Sequence, residues 1–209
     1  MIILKVLAPV CFAALISTNA GRVGDDIITS REVVINHLVE QALFRTSALS
    51  KKIESQIQLD NVKDRRFVRE TTSVLLETAI FFEAESFSSS KISDDVISAQ
   101  ARIAVKKLKD NSLWKKLAAS PAEVKKAVAR KLRAKDFIRF KMDSASIPIS
   151  DKEAEDYFNN NRLKFENLPF ENFKSNIKGY LAKQQTDKRL KDWFELLQSK
   201  YRVRNYLSE

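Results

Sequence analysis

Residues 169–207 read PFENFKSNIKGYLAKQQTDKRLKDWFELLQSKYRVRNYL, and the fold turns on how they are read. Phe170, Phe173, Ile177, Tyr180 and Leu181, then Leu190, Trp193, Phe194, Leu197 and Tyr201, recur in steps of three and four. That spacing sets them along one stripe of a helix. About 32 residues at 1.5 Å each would reach roughly 48 Å, more than the width of a small domain. The apolar residues fall into two groups, parted by the polar run at 183–189. The two ends of the helix are therefore expected to meet different partners, with a bend allowed at Gly179. Burial of all ten stripe residues would contribute about 15–25 kcal/mol before chain entropy is charged against it. Past Lys200 the pattern changes to Tyr201, Val203 and Tyr206 with Arg202 and Arg204 between, which predicts a short strand at 201–206. A strand there needs a partner, and residues 23–28 are the best candidate, with Gly24-Asp25-Asp26 as a turn or bulge within them.

The first 20 residues read as a secretory leader. They carry one charge, Lys5, an apolar core at 6–16 too short to span a bilayer, and small residues in Thr18-Asn19-Ala20. Cleavage after Ala20 is expected to deliver the chain to the periplasm, with an uncleaved N-terminal anchor as the rival reading. Cys11 lies within the leader, so the remainder has neither disulfide nor thiol chemistry.

Gly and Pro are scarce, at 3 and 4 residues, which favours a helical protein. The formal charge of +10 is unevenly spread. Residues 91–141 hold 15 Lys and Arg against 5 Asp and Glu, whereas residues 21–90 hold 9 against 11. A basic middle segment suits acidic polypeptides or an anionic membrane surface; the leader argues against nucleic acid. A solvated helix face with no partner is the plainer alternative.

The helices between follow from their caps and stripes. Thr29-Ser30-Arg31-Glu32 predicts a capping box opening a helix over 30–46, with Val34, Leu38 and Ala42 inward. His37, the only histidine, has no clustered ligands in sequence and reads as a surface or half-buried side chain. A polar stretch at 47–61 precedes a strong helix over 63–86, whose stripe runs Phe67, Thr71, Val74, Leu75, Thr78, Phe82. After the serines at 88–90, Ser93 opens a helix with Ile97, Ala101, Ala104 and Leu108 inward. A short helix at 111–119 carries Trp114. Ser120-Pro121-Ala122-Glu123 then starts a helix running to about Met142. Ile147-Pro148-Ile149 breaks it, and Ser150-Asp151-Lys152-Glu153 begins another.

Dedicated chemistry is missing from the sequence. There is no glycine-rich phosphate loop, no His/Cys cluster and no Gly-x-Ser-x-Gly. No catalytic residue, cofactor or metal is expected, and an enzyme is the poorer reading.

The order of these motifs carries a resemblance. VGDDIITSREV at 23–33, ISDDV at 92–96, IPISDKEAEDYF at 147–158, and the closing helix and strand at 189–207 with Trp193 resemble the SurA-type periplasmic chaperones. Relatives such as PrsA and PpiD carry a parvulin isomerase domain between the N-terminal helices and the C-terminal helix. Here only Glu166-Asn167-Leu168 occupies that gap. The resemblance implies the chaperone module alone: a mainly α domain over 21–209, with helices at 29–165 and the C-terminal helix and strand at 169–207. A two-stranded antiparallel sheet would join the two chain ends. It also implies ATP-independent holding of unfolded or partly folded envelope proteins, outer-membrane proteins among them, without prolyl isomerase activity. Phe81, Phe87, Trp114, Phe137 and Phe140 are the candidate client-binding residues, as large aromatics off or beside the core stripes. The alternative function is a structural adaptor that binds one folded envelope partner or an anionic lipid surface.

Overall fold

The computed structural model describes residues 17–44, 62–87, 92–145, 148–165 and 168–208. The expected leader up to residue 16, the polar stretch at 47–61 and the serine turn at 88–90 lie outside them. Among the described residues the fold is seven α-helices and one small sheet. The helices are α1 Ser30–Phe44, α2 Arg65–Ser86, α3 Asp94–Leu108, α4 Ser112–Leu117, α5 Pro121–Ala145, α6 Asp151–Asn160 and α7 Lys174–Lys200. No helix among the described residues is long and apolar enough to cross a membrane.

The chain ends do meet, and in more detail than the sequence indicates. The sheet has three strands in the order β2-β1-β3, all antiparallel. β1 Asn19–Val23 and β2 Asp26–Thr29 form a hairpin, and β3 Arg204–Asn205 joins the free side of β1. What reads as one interrupted strand at 23–28 is thus the tip and second arm of a hairpin. Gly24, at φ +59, makes the turn, a conformation that favours glycine. The tail pairs one strand earlier than expected. Tyr206 N–H donates to the Ala20 carbonyl at 3.0 Å, and Gly24 N–H donates to the Tyr201 carbonyl at 2.6 Å. Ala20 is fully buried, and the Thr18 carbonyl accepts from Ser30 N–H at 2.8 Å. The expected processing point after Ala20 therefore falls inside β1.

Caps set the helix starts. Both arms of the capping boxes form at Ser120–Glu123 and Ser150–Glu153. At Thr29 only one arm forms: its Oγ1 accepts from Glu32 N–H, while the Glu32 carboxylate turns to Arg130 at 2.6 Å. A buried guanidinium outcompetes the local backbone amide for that carboxylate.

Three apolar clusters hold the molecule. The largest joins β1, β2, α1, α2, α3, α4 and the first turns of α5, with Val23, Val33, Val34, Phe67, Leu75, Ile97 and Val128 buried in it. A second, Ile80, Ala84, Ala134, Phe137 and Leu197, lies where α2, α5 and the C-terminal half of α7 cross. The third, Ala154, Phe158 and Ile177, forms between α6 and the N-terminal half of α7, ringed by Tyr157, Phe165, Phe170 and Phe173. α7 thus joins two clusters with its two ends, as its split stripe predicts. It runs unbroken through Gly179, and Phe170–Asn172 ahead of it form a 3-10 turn. The expectation of ten buried stripe residues is corrected: only Ile177 and Leu197 are buried, and Tyr180 is 46% exposed. Each small core covers its end of the helix on one side only, so the other eight stripe residues stay partly exposed.

Candidate functional site

Phe137 anchors the most suggestive surface. It is buried on α5, with three aromatic rings about it: Phe87 at 5.6 Å, Phe140 at 5.9 Å and Trp193 at 5.9 Å between centroids. Phe87 follows the last residue of α2, so its side chain leaves the helical stripe and is 55% exposed. Phe140 stands one turn beyond Phe137 on α5 and is 49% exposed. Trp193 arrives from α7 and is half-buried. The Lys141 ammonium hangs over three of these rings, 5.2 Å from Phe87, 5.7 Å from Phe137 and 5.8 Å from Trp193. A cation over aromatic faces holds the rings in place and keeps the patch wet at one edge. Three separate helices thus converge on one aromatic surface, with Lys141 over its rings.

Of the five aromatics singled out by sequence, the structure brings Phe87, Phe137 and Phe140 together. Trp114 lies in the main core at 8% exposure. Phe81 is half-buried against Phe82, which in turn leans on Tyr201. Trp193 belongs to the patch, although its place on the α7 stripe marked it as a core residue.

A cleft of about 360 Å³ lies beside this patch, between α1, α2, α5 and α7. Leu76, Ile80, Ile138 and Phe194 line one end. Phe194 is the neighbour of Trp193, their rings 5.2 Å apart, so the cleft and the patch share a wall. The other end is ionic. Arg130 and Lys131 of α5 are 2% and 3% exposed, and isolated charges so deep would be very costly. Each is paired: Arg130 with Glu32 (2.6 Å) and Glu77 (3.2 Å), Lys131 with Glu77 (2.7 Å) and Glu40 (2.8 Å). Asn36, turned to satisfy both groups, donates to Glu77 at 3.1 Å and accepts from Lys131 at 3.2 Å. Burial alone would raise the Glu40 carboxyl, but the charges and hydrogen bonds of Lys131 and Lys135 prevail and hold it below its ordinary value.

His37 is a further correction. It is buried, 5% exposed, rather than a surface side chain. Its Nε2 meets the Gln41 amide at 2.5 Å, and Nδ1 stands 3.1 Å from Glu70 Oε2 outside hydrogen-bonding geometry. One stripe of α1 accounts for Val34, Leu38 and Ala42. That stripe hid the fact that α1 is covered on a second side by α2 and α5.

Compared with known proteins, the chain matches no family model, no curated protein and no solved structure.

Proposed function

We propose that the chain is an ATP-independent holding chaperone of the periplasm, which binds unfolded envelope or outer-membrane proteins without prolyl isomerase activity. The observation that carries this reading is the half-exposed aromatic patch of Phe87 and Phe140 over Phe137 and Trp193. Single exposed apolar side chains are ordinary on protein surfaces, whereas several large rings gathered from three helices are not. Such a patch offers many weak, non-directional contacts, which suits clients that share exposed apolar segments rather than a shape. The resemblance of the sequence to SurA-type chaperones supports the same reading.

The test is aggregation of a denatured outer-membrane β-barrel protein on dilution from urea, followed by light scattering. The chain in several-fold excess is expected to suppress scattering without nucleotide. The double variant Phe87→Ser/Phe140→Ser, changed only at exposed side chains, should lose most of that protection while keeping its helical spectrum. Unaltered aggregation in the presence of the wild-type chain overturns the proposal.

A further inference from the structure

The basic character of residues 91–141 divides into two parts in the fold. On α5 the cations face acids of neighbouring helices: Lys125 meets Asp94 (3.0 Å), Lys126 meets Glu32 (3.5 Å), Arg133 meets Glu85 (3.0 Å) and Lys135 meets Glu40 (3.4 Å). With buried Arg130 and Lys131, these make α5 the counter-charge to the acidic residues of α1 and α2. The second part has no such complement. Arg102, Lys106 and Lys107 on α3, Lys109 just past it, and Lys115 and Lys116 on α4 are all exposed, and of these Lys107 turns to the end of α1, donating to the Ala42 carbonyl at 2.8 Å. Asp110, 3.9 Å from Lys109, is the one acid paired with any of them among the described residues.

Their arrangement is directional. Arg102, Lys106 and Lys109 recur at i, i+4 and i+7, on the side of α3 opposite buried Ile97, Ala104 and Leu108. Lys115 and Lys116 follow on α4, whose inner side buries Trp114 and Leu117. Attraction to the helix C-terminus accounts for Lys106 and Lys107, but not for Arg102 or the α4 pair. Ile103 and Val105, 42% and 41% exposed, flank that stripe on its two sides, about 160° apart around the helix.

We propose that the cationic side of α3 and α4 docks on an anionic lipid surface, with the lysines among phosphate headgroups. Charge complementarity is the first argument: the cations outnumber the acids on this side, Asp95 one stripe position before Arg102 and Asp110 beside Lys109, and a net positive face is attracted to a negatively charged sheet. The residue types are the second. Five of the six are lysines, point charges on flexible stems that suit a diffuse array of phosphates, whereas bidentate recognition favours arginine. Trp114, the aromatic of this region, is buried, so the face offers no ring on which a nucleic-acid base could stack.

The experiment is co-sedimentation of the full chain with phosphatidylcholine vesicles and with vesicles of equal parts phosphatidylcholine and phosphatidylglycerol. Stronger binding to the anionic vesicles is expected, with loss of that excess at about 1 M salt, where screening acts over about 3 Å. The patch variant Lys106→Glu/Lys115→Glu/Lys116→Glu should bind anionic vesicles about ten-fold more weakly or worse. Lys183→Glu/Lys188→Glu/Lys191→Glu on the exposed side of α7 changes the net charge equally and should bind like the wild type. Equal binding to both vesicles, no binding to either, or equal losses in the two variants overturns the proposal. Retention on poly-glutamate without vesicle binding also overturns it, in favour of an acidic protein partner. The patch variant is expected to keep its suppression of aggregation, so this proposal and the chaperone reading fail separately.

Discussion

The Tyr201 hydroxyl donates to Glu83 Oε2 at 2.7 Å, across 118 residues of sequence. Lys200 Nζ reaches the same oxygen at 2.5 Å, so the end of α7 is fastened to α2 through one buried carboxylate. Tyr201→Phe removes the hydroxyl and keeps the ring. A hydrogen bond to a charged group of this kind contributes about 1.5–3 kcal/mol. The variant should unfold at lower urea with an unchanged slope, and an unshifted midpoint would show that Lys200 alone suffices.

Acid should weaken the same fastening. Burial pushes the Glu83 carboxyl up, but hydrogen bonds from Lys200 and Tyr201 prevail and hold it below its ordinary value. At Glu123 the hydrogen bonds of Arg31 dominate and bring the carboxyl down to about 2. A carboxylate whose value is depressed in the folded chain stabilises it above the unfolded value of 4.5, and that stability is lost as pH falls toward the folded value. Stability should therefore hold above about pH 5 and decline between about pH 4.5 and 2. Glu123→Gln should flatten the decline in urea midpoints across that window; an unchanged profile would exclude Glu123 as a contributor.

The ionic junction gives a larger effect. Arg130→Leu strips the guanidinium from between Glu32 and Glu77, which are 18% and 17% exposed at their side chains. Removing one partner of a buried pair costs about 3–5 kcal/mol, because the other charge stays buried. The triple variant Glu32→Leu/Glu77→Leu/Arg130→Leu should recover part of that loss, although it leaves Lys131 with Glu40 as its one carboxylate. Both outcomes are read from urea unfolding by circular dichroism.

Two backbone positions have opposite signs. A Cβ on Gly21 would sit 2.5 Å from the Arg204 carbonyl oxygen and 2.8 Å from Leu75 Cδ1. Gly21→Ala must push β3 away from β1 or shift α2, and should cost about 1–3 kcal/mol. Ala118 closes α4 in the left-handed region at φ 45, where a Cβ is strained. Ala118→Gly should raise stability by about 1 kcal/mol, seen as a higher thermal midpoint.

Much of this fold is legible in the sequence because local rules decide it. Ser120, Ser150 and Ser93 announce their helices through caps that need only neighbouring residues. The split stripe at 170–201 foretells the two attachments of α7. The hairpin is less legible, because Asn19 and Ala20 fall where small residues also read as a processing point. Burial of His37, Arg130 and Lys131 is hidden for another reason. Each is charged or polar and lies off its helix's stripe; the meeting of α1, α2 and α5 covers all three and supplies the carboxylates that pair Arg130 and Lys131. The aromatic patch is half legible: Phe87 stands off its stripe and Phe137 and Phe140 widen the apolar side of theirs, while Trp193 lies on one and is drawn outward by the crossing of α7 over α5.

The position of β1 between β2 and β3 has a kinetic meaning. A chain that emerges N-terminus first presents its hairpin early, with one edge open and nothing to pair against it until residue 205 is free. Closure then joins segments more than 180 residues apart, a slow kind of contact for a helical protein. Until it happens, the Gly21 and Arg22 backbone is a vacant sheet edge, open to pairing with another chain.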